Sequence, residues 1–162
     1  MSNAVGSRWN LSLDLLEWAG AETKLGNHLV AGQALYELLG LIGESGNRSE
    51  LAAALGVVAQ VLAELGDPDT AVFALLARRG IPDLHLAVGV GSSGLDEDDD
   101  AVLARLAPAI GPEELARLRA GASAASDHRV VAVCRSALGC ALGMDTAAPV
   151  SEPRADPTAI RG

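Results

Sequence analysis

Aromatic side chains are almost missing from this chain: Trp9, Trp18, Tyr36 and Phe73 are the four in 162 residues, although 49% of the residues are apolar. Strands draw on β-branched and aromatic residues, and no stretch alternates apolar with polar, so a sheet-built core is excluded. What fills the space is Ala and Leu, which lose little side-chain entropy in a helix. Basic residues are also scarce. Twelve Lys and Arg against 21 Asp and Glu leave a net charge of −9 and a pI near 4.7, with no basic stripe, so direct nucleic-acid binding is not expected. Gly and charged residues interrupt every apolar run before membrane-spanning length, and the first residues lack the pattern of a secretory signal. The chain is therefore expected to be soluble and cytoplasmic. Cys134 and Cys140 are the two cysteines; six positions apart on one helix they point about 240° apart, which predicts reduced core thiols and neither a metal nor a redox pair.

What is present is a repeat. Lys24-Leu25-Gly26-Asn27 is answered forty positions on by Glu64-Leu65-Gly66-Asp67, and the same spacing pairs Leu15 with Leu55, Ala19 with Ala59, Ala31 with Ala71, Ala34 with Ala74 and Leu35 with Leu75. Helical spacing predicts a first helix over 11–24, with Leu11, Leu15, Trp18 and Leu25 on one stripe and Asn10 or Ser12 as cap. A second over 28–42 is stopped by Gly43 and Ser45-Gly46-Asn47. A third starts near Ser49 and carries Leu51, Leu55, Val58, Leu62 and Leu65, and a fourth runs from Pro68, capped by Asp67, to Arg79. Arg78 and Arg79 suit the negative end of that helix. From Leu84 to Gly94 the rhythm fails, predicting an irregular crossing loop with at most a turn near Leu84, before helices over 98–109, 112–121 and 126–142. The organisation expected is a loose lead-in over 1–10, one helical-repeat domain over 11–142 and a disordered tail over 143–162. The domain divides into units over 11–46 and 48–80, a degenerate third over 97–121 and a closing helix over 126–142. The fold class is all-α: a short α-solenoid of antiparallel helix pairs.

No reaction is visible. Gly89, Gly91 and Gly94 form a Gly-x-Gly-x-x-Gly, but no β-α-β context surrounds it and the acidic run Asp96 to Asp100 would repel a pyrophosphate, so no cofactor is expected. That run lacks the alternating ligands, turn Gly and closing Glu of a calcium loop, and favours a helix start instead. His28, His85 and His128 have no metal-ligand partner at helical spacing. Ser92-Ser93 and Ser126-Asp127-His128 cannot meet triad geometry as sequence neighbours.

The paired units resemble the tetratricopeptide repeat. Leu15, Trp18-Ala19, Gly26 and Ala31 in one copy, and Leu55, Val58-Ala59, Gly66 and Ala71 in the other, have that family's spacing of large, large-small, turn and small residues. The period of 40 exceeds the usual 34, and Glu22 stands where a bulky apolar residue is expected, as its counterpart Leu62 is. Longer repeats of this type are similar to those near the C-terminus of large actinobacterial LuxR- and AfsR-type regulators, which join an ATPase, a helical-repeat region and a DNA-binding domain. Leu103-Ala104, Gly111 and Pro112-Glu113-Glu114-Leu115-Ala116 resemble the degenerate last unit of such regions, while no phosphate-binding Gly-Lys-Ser/Thr loop and no helix-turn-helix appear. The resemblance implies the repeat module alone, a non-catalytic scaffold holding a protein segment or the other domains of a regulator. It also implies a groove lined by Leu13, Leu16, Gly20, Thr23 and Lys24 beside Ala53, Gly56, Gln60, Ala63 and Glu64. Gly20, Thr23, Lys24, Gln60 and Glu64 are the candidate binding residues, unless the chain's own loop or last helix fills the groove. The alternatives are a module sensing a small effector between its helices and, remotely, an all-α enzyme.

Overall fold

The computed structural model describes residues 2–81 and 99–144, with side chains from residue 10 onward. Among the described residues there are seven helices and no strand: α1 (Ser2–Lys24), α2 (His28–Ser45), α3 (Arg48–Glu64), α4 (Pro68–Arg79), α5 (Asp99–Ile110), α6 (Pro112–Ala124) and α7 (Asp127–Ala141). The fold is all-α, with neighbouring helices packed as a repeat array requires. No described helix is long and apolar enough to cross a membrane.

The repeat is written in backbone hydrogen bonds as well as in residue types. Gly26 and Gly66 sit at φ 86° and 95°, which glycine adopts without a Cβ penalty. Around the first, Gly26 N–H donates to the Thr23 carbonyl and Asn27 N–H to Glu22; around the second, Gly66 N–H donates to Ala63 and Asp67 N–H to Leu62, the Asn27 and Asp67 bonds both 2.8 Å. Each is a helix-ending turn that satisfies the last carbonyls and reverses the chain. Asp67 then caps α4 by accepting from Thr70 N–H at 3.1 Å, with Pro68 in the first turn.

Small residues set the packing. Ala19, Ala31, Ala59 and Ala71 are fully buried, as are Leu35 and Leu55, and Leu75 all but fully. α1 packs on α2 and α3 on α4, and α3 lies against both members of the first pair. α5 and α6 pack on α4, while α7 runs along α2 and reaches α3 and α4. Arg135 of α7 stacks 4.1 Å over the Tyr36 ring and donates to the Tyr36 carbonyl at 3.1 Å, and Arg48 pairs with Asp127 at 2.8 Å. Ala71 offers a direct check on the repeat register. Ala71→Leu is expected to overpack its fully buried site and to lower stability by about 1–3 kcal/mol, read as a fall in urea midpoint.

Several sequence expectations are corrected. The segment 1–10 is no loose lead-in: α1 starts at Ser2, because one Gly and no Pro before Leu11 leave nothing to stop it, and neither Asn10 nor Ser12 is a cap. α2 continues through Gly43 and ends only at Gly46, with φ 72°. Asn47, not Ser49, opens α3, its side chain accepting from Glu50 N–H at 3.1 Å. α6 continues past Gly121 to Ala124. Leu11, Trp18 and Leu25, expected beside Leu15 on the core stripe, are 42%, 50% and 73% exposed, with no described helix packed on that flank of α1. Cys134 is buried and Cys140 exposed, so only one of the two is a core thiol; both are free. Burial, with Asp67 adding to it, pushes the Cys134 thiol up to about 12. Arg78 is no exposed end cap but a buried cation, discussed below. The crossing loop with Gly89, Gly91, Gly94, His85 and Ser92-Ser93, the acids Asp96 to Asp98, and the tail beyond Met144 lie outside the described residues.

Candidate functional site

α1 packs against α3, and residues near the turn ends of both, Thr23 with Gln60 and Glu64, meet at one depression. Along α1 the half-buried residues Leu13, Leu16, Gly20 and Thr23 follow one another at helical spacing; along α3, Ala53, Gln60 and Ala63 do the same. A Cβ built on Gly20 would meet nothing within 4 Å among the described residues.

At the turn end lies an open depression of about 500 Å³ lined by Thr23, His28, Gln60, Glu64, Ala101, Val102 and Arg105. Three of the five candidate residues, Thr23, Gln60 and Glu64, are thus brought together from two helices. Lys24 is exposed on the last turn of α1 but does not line the depression, and Gly20 lies one turn back along the groove. Gly56, one of the wider set of groove positions, is buried: its missing Cβ would come 3.4 Å from Arg78 Nε. Neither the last helix nor any described residue fills the depression. α7 lies on α2 instead, and α5 forms one wall with Ala101, Val102 and Arg105.

The polar groups there differ in how far they are committed. Thr23 Oγ1 donates to the Ala19 carbonyl at 2.7 Å, which fixes the hydroxyl. His28 Nε2 stands 3.9 Å from Glu64 Oε1, while its buried Nδ1 has no hydrogen-bond partner among the described residues. The Gln60 amide and the Arg105 guanidinium have no partner among the described residues either. A primary amide, an imidazole, a carboxylate and a guanidinium therefore converge with both donors and acceptors available. No three His, Cys, Asp or Glu side chains among the described residues are placed to hold a metal ion. His28 was legible in the sequence only as an isolated histidine, since its neighbour Glu64 belongs to the other copy. Arg105 and its wall carried no signal, because the connection into α5 lies in the non-periodic stretch.

A second depression of about 460 Å³ lies between α3, α4, α6 and α7, with Leu51, Leu55, Ile81 and Val130 in its floor and Arg48, Arg79 and Arg119 at its rim. Two of those guanidinium groups are already paired, Arg48 with Asp127 and Arg79 with Asp100. Their pairs join elements to one another, so the first depression is the better candidate. Compared with models of protein families, with curated proteins and with solved structures, the chain finds no match in any of the three.

Proposed function

We propose that the chain is a non-catalytic scaffold that holds an extended segment of another protein, or of a regulator's other domains, in the groove between α1 and α3. The observation that carries this is the convergence of Thr23, Gln60 and Glu64 from the two copies on one open depression whose amide is uncommitted. Small residues along the groove let a backbone approach closely, and the Gln60 amide can both donate to and accept from a peptide unit. Glu64 and Arg105 bring opposite charges, which suits a peptide of mixed charge and makes no funnel for phosphates. Affinity should be modest, because two units fall short of the roughly 800 Å² that a standard interface buries on each partner.

The test is selection of a random peptide display library on the purified chain, with the selected peptides measured by fluorescence anisotropy. Binding is expected to weaken at least about fivefold, or about 1 kcal/mol, in Gln60→Ala. It should be abolished by Gly20→Arg, which fills open space without touching the core. Peptides that bind both variants as they bind the wild type would remove the groove from consideration, and tight DNA binding at physiological salt would remove the scaffold.

A further inference from the structure

Four of the described arginines are closed on carboxylates: Arg48 on Asp127, Arg78 on Asp99, Arg79 on Asp100 and Arg117 on Glu114. Arg105 and Glu64 stand apart from this pattern. They line one depression of about 500 Å³ from α5 and from the last turn of α3, yet they do not pair with each other, and Arg105 has no other partner among the described residues. The His28 Nε2 beside Glu64 stands 3.9 Å from its Oε1, too far for a hydrogen bond, and the Glu64 side chain is 48% exposed. Ala101 precedes Arg105 by one turn on α5, and Gln60 precedes Glu64 by one turn on α3, so neither charge is neutralised along its own face of the depression.

Two opposite charges held apart in one depression make a dipolar site. We infer, on the reading of that depression as a seat for a protein segment, that the segment carries a basic and an acidic side chain close together, the basic one meeting Glu64 and the acidic one Arg105, with a peptide unit on the Gln60 amide. Selectivity comes from repulsion as much as from attraction. A segment with basic residues alone brings a cation to Arg105, and one with acidic residues alone meets Glu64 and a chain of net charge −9. A mixed pair neutralises both walls. Because the two walls differ in sign, the pair also fixes which way the segment runs.

The experiment takes a peptide from the library selection on the full chain and removes charge on each side of the contact in turn, with binding read by fluorescence anisotropy. Selected peptides are expected to carry Lys or Arg and Asp or Glu within a few residues of each other. Glu64→Gln should weaken such a peptide at least about threefold, as should replacing its basic residue by norleucine, and the two changes together should weaken it no more than either alone. Arg105→Gln and the peptide's acidic residue, replaced by its amide, should be coupled in the same way. Glu64 and Arg105 are both exposed, so the variants should keep the wild-type circular dichroism. Wild-type affinity should fall as sodium chloride rises, and fall less in either variant. Selected peptides without the paired charges overturn the inference, and so do effects that add instead of coupling; if Gln60→Ala still weakens those peptides, the segment-binding reading stands without it. If no peptide is selected, both fall. Saturable binding of free lysine that is lost in both variants, with no peptide bound, would make the occupant a small effector and overturn the inference as well.

Discussion

Arg78→Ala should cost about 3–5 kcal/mol of folding free energy, a large share of the 5–15 kcal/mol that holds a domain of this size together. Arg78 and Asp99 form an ion pair with side chains only 10% and 12% exposed. The same guanidinium donates from Nε to the Ala52 carbonyl at 2.9 Å, and its stem crosses Gly56, where no Cβ obstructs it. One side chain thus joins α4 to α3 and to the first turn of α5. Truncation leaves a carboxylate and a helix carbonyl buried without that cation, and it is their desolvation, more than the Coulomb attraction itself, that sets the size of the loss. Replacing both ends by apolar groups, Arg78→Met with Asp99→Leu, removes the buried charges together and should recover most of the stability. Urea titrations of the two single variants and the double variant make the comparison. A loss below about 1 kcal/mol in Arg78→Ala would mean that the pair is solvated and unimportant. Because α5 supplies Ala101, Val102 and Arg105 to the depression, the same substitution should also weaken binding there while leaving Gln60 untouched.

The sequence read as two helix pairs because their turns rest on local chemistry: a glycine able to take positive φ, a capping Asn or Asp, a Pro in the first turn and alanines where helices touch. The glycine, the Asn or Asp after it and the alanines recur at each turn, and the backbone bonds of the two turns match one for one, whereas the Pro and the side-chain cap belong to the second turn alone. Arg78 was misread because its partner lies 21 positions away and its acceptor carbonyl 26, distances over which a pattern of residue types says nothing about contact. Trp18 was misread for a different reason. A repeat gives equivalent residues equivalent roles only while each unit has a neighbour on the same side, and among the described residues the first unit has none. That Thr23, Gln60 and Glu64 meet at one depression was legible in part, since helix periodicity sets each of them from its turn glycine. Its third wall was not, because α5 arrives through a stretch with no period.

The other large effect concerns the place where the two copies disagree, Glu22 and Leu62. Glu22 lies on the surface, where its carboxylate accepts from Asn27 Nδ2 at 2.6 Å and from Trp18 Nε1 at 2.9 Å. Those bonds, Asn27's first, hold its carboxyl below the usual carboxylate range. Leu62 is fully buried. Exchanging the residues between the copies should therefore have opposite consequences. Leu62→Glu removes a packed leucine, which alone costs about 2–5 kcal/mol on truncation, and places a carboxylate in a fully buried site, so it should abolish folding at neutral pH. Glu22→Leu loses two exposed hydrogen bonds and should leave the melting midpoint close to that of the wild type. Circular dichroism melts of the two variants make the comparison. A folded Leu62→Glu with a midpoint near that of the wild type would show that Leu62 is not packed in the core.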